Sequence, residues 1–369
     1  MQKGVLDVLT TIEQAGYEAY LVGGCVRDRV MGTEPHDYDI TTSALPQEIK
    51  GLFERVLETG IAHGTVTVLT ADGPLEITTY RVDGEYVDHR HPIGVQFTRS
   101  LREDLARRDF TVNAMAMDRH GEITDLFGGR ADIEKKIIRC VGEPALRFEE
   151  DALRILRGLR FAARLGFAIE AQTALAMEEK KDGLKSIAAE RIFAELCGLL
   201  SGKYAAEILE KYRSVMAVIL PEMGAPAPKP CPPTFGMAAL LSAAQDPAAP
   251  LARLKAPNAF KEEVLMLIRN QATPCPKTQS ELYRLAVALG EKDLRKVYAY
   301  RGWEQAEMEA FLQQNPCLCI KDLALDGKDL MALGLEGPAI GQTLADLLEK
   351  VMEGLPNEKD SLLNAIKNR

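Results

Sequence analysis

Apolar positions three and four apart between Val5 and Ala15 predict an amphipathic helix, and the apolar run Ala19 to Val22 behind it predicts a short strand. A double glycine follows, then a helix from Cys25 to Met31 and a second strand from Tyr38 to Thr41. Further β-like runs lie at Arg55 to Thr59, Thr65 to Leu69 and Leu75 to Tyr80, punctuated by Gly, Asp and Pro. A long polar loop is expected from Asp83 to Val95, a charged helix from near Leu101, and a β segment through Ala114 to Met117. From Ala145 the period changes. DALRILRGLRFAARLGF, IAAERIFAELCGLL, FKEEVLMLIRN and LADLLEKVMEG all carry the helical period, and β signals nearly vanish. The stretch GAPAPKPCPPTFG (224–236) and the segment near Asn315 to Cys319 read as connections between helical modules. The expected class is α+β: a mixed module to about residue 138, then an all-helical remainder.

Composition narrows this picture. A chain of 369 residues has room for two to four modules. No apolar run approaches the roughly 20 residues of a membrane span, and the N-terminus lacks the layout of a signal peptide, so a cytoplasmic protein is expected. Cysteines at 25, 140, 197, 231, 275, 317 and 319 are odd in number and include no CxxC pair, which argues against a disulfide framework and against zinc. Reduced, mostly buried thiols are expected instead. The formal net charge of −9 disfavours binding nucleic acid over the whole surface, so any RNA contact must come from local basic patches.

The strongest chemical signal is LVGGCVRDRVMGTEPHDYDITT. On one strand Asp37 and Asp39 would project the same way, and two such carboxylates suit divalent cations, magnesium above all at a phosphate-handling site. Alone, a DxD triplet is more often a solvated turn. The setting changes that: Gly23 and Gly24 let backbone amides approach an anion, the next helix aims its N-terminal dipole the same way, and Arg27 adds a charge-assisted contact. Together these elements form a triphosphate cradle facing a two-metal site. Glu76, on a later strand, is a candidate third metal ligand, with an exposed edge-strand glutamate as the equal alternative. The dipeptide His36-Asp37 lacks the further ligands of a phosphohydrolase site, and His63, His89 and His91 read as loop or structural residues.

Two further blocks add specificity. RRDFTVNAMAMD places Arg107, Arg108, Asp109 and Asn113 where a helix gives way to a strand, a mix of donors and acceptors suited to ribose and phosphate, although a capped helix end is the plainer reading. In EEDALRILRGLRFAARLG, Asp151 and Arg154 are three apart and would share a helix face. The bland interpretation is a surface salt bridge. The sharper one is a pair reading the amino group and ring nitrogen that cytosine and adenine share, and rejecting the reversed pattern of uracil and guanine. Arg147, Arg154, Arg157, Arg160 and Arg164 would form a partly aligned basic ridge on the same helix, the expected place for an RNA backbone.

Taken together, GGCVRD, HDYDITTSALP, HGTVTV, EITTYR, RRDFTVNAMAMD, DLFGGRADI, RFEEDALRILR and AAERIFAEL resemble, in order, the class II tRNA nucleotidyltransferases, the bacterial CCA-adding enzymes and poly(A) polymerases. The likeness runs from Leu21 to about Leu199 and returns in LALDGKDLMALGLEGPAIG, while about 200 to 315 carries no motif of the family. It implies a polymerase-β-like head (1–138), a helical neck with the nucleotide-selecting motif (139–200), a helical body (201–315) and a tRNA-binding tail (316–369). It implies Asp37 and Asp39 as magnesium ligands, and Gly23, Gly24 and Arg27 as the triphosphate motif. Arg108, Asp109 and Asn113 then serve ribose recognition. Glu150, Asp151 and Arg154 are the EDxxR motif that templates CTP and ATP, and Arg157 binds nucleotide beside it. YRVDGEYVDHRHPIGVQF takes the place of the loop that switches to ATP, and Glu190 with Arg191 braces the neck. The implied reaction is template-independent addition of C and A to tRNA 3′ ends. A-only addition, poly(A) synthesis and a noncatalytic RNA-binding protein are the alternatives. The wording of HGTVTV and EDALR and the lack of a basic C-terminal extension count against poly(A) synthesis, and the intact DxD and EDxxR motifs count against a dead head.

Overall fold

The computed structural model describes residues 2–35, 37–83 and 95–367, and the chain divides into two compact units, Met1–Lys261 and Glu262–Arg369. The N-terminal periodicity is realised as helix α1 (Lys3–Gln14), whose Val5, Val8, Leu9 and Ile12 are all buried. Each contributes roughly 1.5–3 kcal/mol by leaving water. Strand β1 (Ala19–Val22) leads through Gly23 into α2 (Gly24–Val30), and β2 (Asp39–Thr42) returns antiparallel to β1. After α3 (Pro46–Leu52) come β3 (Val56–Gly60), β4 (Thr65–Thr70) and β5 (Gly73–Thr79). A short hairpin of β6 (Arg81–Asp83) and β7 (Val95–Phe97) precedes α4 (Leu101–Ala106), β8 (Met115–Met117) and β9 (Ile123–Asp125). The polar loop expected between these hairpin strands falls largely on 84–94, outside the described residues, as do His36, His89 and His91.

These strands form a seven-stranded sheet in the order β3-β4-β5-β2-β1-β8-β9, antiparallel throughout except for the parallel pair β2–β5. Alternation sorts its two faces. Ile40, Ile77 and Val66 lie in one registered row and are buried on the side of α1 and α3, so their neighbours Asp39, Glu76 and Thr67 form a row on the other side. Because β5 lies between β4 and β2, Glu76 is not an edge-strand residue.

A helix α5 (Gly129–Glu134) and β10 (Ile137–Ile138) end the mixed part. Beyond it come α6 (Pro144–Glu150), α7 (Leu153–Leu165), β11 (Ala168–Ile169), α8 (Ala171–Lys180) and α9 (Ala189–Leu200). The all-helical expectation is therefore corrected at one point: β11 pairs in parallel with β10, so the second half returns one short strand to the first. The expected single helix through Arg147 and Arg164 is also corrected. Asp151 has extended backbone (φ −147°, ψ 101°) and separates α6 from α7, its Oδ1 accepting from the Leu153 amide at 3.0 Å. An Asp side chain that satisfies a helix-start amide favours such a break over continuation. The first unit continues through α10 (Ala205–Lys211), α11 (Arg213–Ile219), α12 (Pro233–Leu241) and α13 (Ala248–Arg253) into α14 (Asn258–Arg269), within which the division falls.

The second unit holds α15 (Gln279–Arg301), interrupted at Gly290, then α16 (Ala306–Leu312), α17 (Gly327–Ala332), α18 (Pro338–Met352) and α19 (Lys359–Lys367). Thr278 and Glu281 cap the start of α15 reciprocally, and Asp326 with Asp329 does the same for α17. One apolar cluster gathers Leu282, Leu294, Tyr298 and Phe311, and another Leu325, Leu330, Leu347 and Leu362. All seven cysteines are free; three of them (Cys25, Cys140, Cys317) are buried, fewer than expected, with Cys275 and Cys319 exposed. No described helix is long and apolar enough to cross a membrane.

Candidate active site

The site grows from the end of β1. Its last residue, Val22, pairs with Asp39, so β2 has no β1 partner for residues before Asp39 and begins there. Asp37 accordingly lies in a bend ahead of the strand, exposed, and the expectation that both aspartates project from one strand is corrected. Across the parallel pair Asp39 stands directly beside Glu76. Asp39 reaches solvent, yet the protein around it removes enough water to raise its carboxyl above the ordinary range. Arg108 pulls it back down, while Glu76 and Asp37 push it further up.

Gly23 turns the chain with φ +75° and ψ −135°, a conformation that a side chain would strain. A Cβ there would lie 3.6 Å from Arg108 Nη1 and 3.8 Å from Asp39 Oδ2, so the glycine opens the space between a guanidinium and a carboxylate. At Gly24 the corresponding point is 3.5 Å from Arg27 Nη2. Arg27 is buried: Nε and Nη2 donate to Asp28 Oδ1 at 3.0 and 2.7 Å, and Nη1 donates to Asn113 Oδ1 at 2.7 Å. Arg108 Nη2 donates to Asp104 at 3.0 Å, while its buried Nε has no hydrogen-bond partner among the described residues. A guanidinium whose Nη1 stands beside a glycine turn is suited to a phosphate oxygen.

Asp104 was not foreseen from the sequence. It is fully buried in α4 and receives Arg107 Nε and Nη2 at 3.0 and 2.7 Å, Arg108 Nη2 at 3.0 Å and the Thr41 hydroxyl at 3.2 Å. Burial pushes its carboxyl up, but the guanidiniums of Arg108 and Arg107 outweigh this and hold it below the ordinary range. Thr41 is two residues along β2 from Asp39, so Asp104 fastens Arg108 to the strand that carries the metal-site candidate. The only sequence signal was a carboxylate three and four residues before two arginines.

On the helical side the predicted residues converge through internal pairs rather than along a solvated ridge. Arg154 is buried, its Nη1 donating to Glu150 at 2.7 Å and its Nη2 to the Arg107 carbonyl at 3.2 Å. Asp151 Oδ2 accepts from Arg191 at 2.8 Å, so the two base-reading candidates are held by separate partners instead of by one another on a helix face. Arg157 donates to the buried Asp109 at 2.7 Å and lies 3.7 Å from Glu195, which also receives Arg160 at 2.6 Å. Arg147, on α6, pairs with Glu150. The basic ridge is thus largely neutralised by Glu150, Asp109 and Glu195; only Arg164, at the end of α7, stands exposed.

Among the described residues no three His, Cys, Asp or Glu side chains form a ready metal cage. Magnesium does not require one, because it is commonly held by one or two carboxylates completed by water and substrate phosphates. Asp39, Glu76 and Asp37 supply hard oxygen donors and an excess of negative charge that raises the Asp39 carboxyl, which is the donor set such an ion fits.

Residues 19–139 match the Poly A polymerase head domain, residues 166–225 an RNA and SrmB-binding site of polymerase A, and residues 236–366 the tRNA nucleotidyltransferase domain 2. The CCA-adding enzyme of Lactiplantibacillus plantarum is 39% identical over 97% of this chain and 94% of its own length. That of Levilactobacillus brevis is 40% identical over 97% and 96%. The crystal structure of the Bacillus stearothermophilus CCA-adding enzyme in complex with CTP superposes with a TM-score of 0.81 at 31% identity, covering 100% of this chain and 99% of that one.

Proposed function

The chain belongs to the CCA-adding enzymes, the tRNA nucleotidyltransferases, and from that premise we propose how its own residues carry out the family's reaction. The enzyme adds C and A nucleotides to tRNA 3′ ends from CTP and ATP, with release of pyrophosphate and without a nucleic-acid template. The observation that carries the assignment of roles is the gap at Gly23, bounded by Arg108 on one side and Asp39 on the other.

In this reading the triphosphate lies along Gly23 and Gly24. Their backbone amides and the N-terminus of α2 face it, Arg108 offers its Nη1 edge at the Gly23 gap, and Arg27 supplies charge from behind the turn. Asp37 and Asp39, with Glu76 beside Asp39, would hold magnesium; bound there, the ions would acidify the attacking 3′-hydroxyl and neutralise charge on the departing pyrophosphate. Asp109 is buried against Arg157 and the Phe110 amide, so its part is to orient Arg157 toward the nucleotide, while Asn113 steadies Arg27. Asp151 accepts from the exocyclic amino group of C or A, and Arg154 donates to the ring nitrogen. Arg191 and Glu150 fix these two groups in place before a base arrives, which limits the entropy lost on reading it. The division into head (1–138), neck (139–200), body (201–315) and tail (316–369) is carried forward on the same basis, with tRNA held by the last two and the cytoplasm as the setting.

Asp39→Ala tests the metal-site assignment. Incorporation of CMP into a tRNA transcript is expected to fall more than about a hundredfold, roughly 2.7 kcal/mol on the transition state, while tRNA retention in a gel-shift assay persists. Turnover near the wild-type rate would remove Asp39 from the site.

A further inference from the structure

Three guanidiniums converge on one aromatic ring where α2 meets α7. Arg27 Cζ lies 5.6 Å from the centroid of Phe161, Arg157 Cζ 5.6 Å and Arg160 Cζ 4.4 Å. Phe161 itself is buried, 6% exposed, and its edge-to-face contact with the fully buried Phe110 at 5.9 Å and 82° fixes the orientation of its ring. We propose that Phe161 is a positioning residue, which holds Arg27 of the phosphate-binding turn and Arg157 of the helical side in one cationic cluster and so sets the enzyme's preference for a triphosphate.

An aromatic face does here what other side chains cannot. Three like charges gathered in a water-poor junction repel, and they need compensation. Asp28, Asp109 and Glu195 each take part of it, and each carboxylate ties up N–H donors as it does so. The negative face of a phenyl ring attracts a guanidinium without accepting its hydrogen bonds and without adding a formal negative charge. Arg27, already paired with Asp28, is thereby attracted by the ring without a second carboxylate being added beside Gly24, where the anionic part of the nucleotide is assigned. A leucine would fill much of the same space but remove the ring's share of the compensation, leaving Asp28, Asp109 and Glu195 alone to offset the three charges and loosening the fit of Arg27 beside the turn. The inference rests on the triphosphate assignment given above.

The test separates shape from electrostatics. Phe161 is replaced with mono-, di- and trifluorophenylalanine, which keep the ring's outline while draining the negative charge from its face, and separately by Phe161→Leu. Titration calorimetry then compares CTP with CMP on each full-length protein. The preference for CTP over CMP is expected to fall stepwise along the fluorinated series and by about tenfold in Phe161→Leu. Unchanged preference along the series, or equal losses for CTP and CMP, would overturn the proposal. Wild-type protein that binds CTP no better than CMP would instead overturn the triphosphate assignment itself, whatever the variants do.

Discussion

At the scale of single residues, the chemistry was legible as types and spacings and illegible as partners. Asp39, Gly23, Gly24 and Arg27 lie within seventeen positions, and local rules brought them together. Glu76 needed a strand order: only the parallel pairing of β2 with β5 puts it beside Asp39. Arg154 illustrates what spacing misses. Its three-residue interval from Asp151 suggested a shared helix face, yet its guanidinium is held by Glu150 and the Arg107 carbonyl. Replacing it therefore has two consequences. Arg154→Ala should admit UTP or GTP at rates within about tenfold of CTP, since a bidentate base contact is worth roughly 1–3 kcal/mol of discrimination. It should also lower stability by about 1–3 kcal/mol, because the Arg107 carbonyl loses its donor and Glu150 is left with Arg147. Single-nucleotide incorporation with each triphosphate checks the first effect, and unchanged selectivity would remove Arg154 from base reading.

At the scale of elements, helices and strands follow the periodicity closely, and the errors fall where side chains compete with the backbone. Asp151 breaks the expected long helix because its carboxylate serves the Leu153 amide. Asp37 drops out of β2 because β1 stops at Val22. Asp104 is the clearest case of a contact between elements that no pattern announces, joining α4 to β2 through Thr41. Its folded pKa is lowered, so its contribution to stability is fully present above the unfolded value of about 3.9 and is lost as pH falls through the folded value below it. Asp104→Asn should cost about 3 kcal/mol at neutral pH and flatten the acid limb of a urea-unfolding series below about pH 4. An unaltered acid limb would contradict the pairing. Gly158 marks where α7 meets its neighbours: a Cβ there would lie 2.5 Å from Met177 Cε and 2.9 Å from Phe110 Cζ. Gly158→Ala should destabilise by roughly 1–3 kcal/mol despite the better helix propensity of alanine, and a raised melting temperature would contradict this close approach.

At the scale of the whole molecule, the α+β character and the change of period near Ala145 were legible because sheet and helix demand different spacings. The two compact units were not, since the division falls inside α14, within a run of continuous helical pattern. The net charge of −9 excluded a uniformly basic surface but also encouraged a reading of the α7 arginines as an RNA track. Folded, Arg154, Arg157 and Arg160 are paired with Glu150, Asp109 and Glu195. The chain's central property is addition of C and A to tRNA 3′ ends, with the base read by the protein's own side chains as proposed above. The most direct test incubates the purified full-length protein with tRNA transcripts ending before the CCA, after the first C, or after both, with CTP and ATP singly and together. The expected result is C addition from CTP alone, A addition from ATP alone only to the transcript ending in CC, and growth of the shortest transcript by three nucleotides with both. An open-ended run of A, or A addition without any C addition, would contradict it.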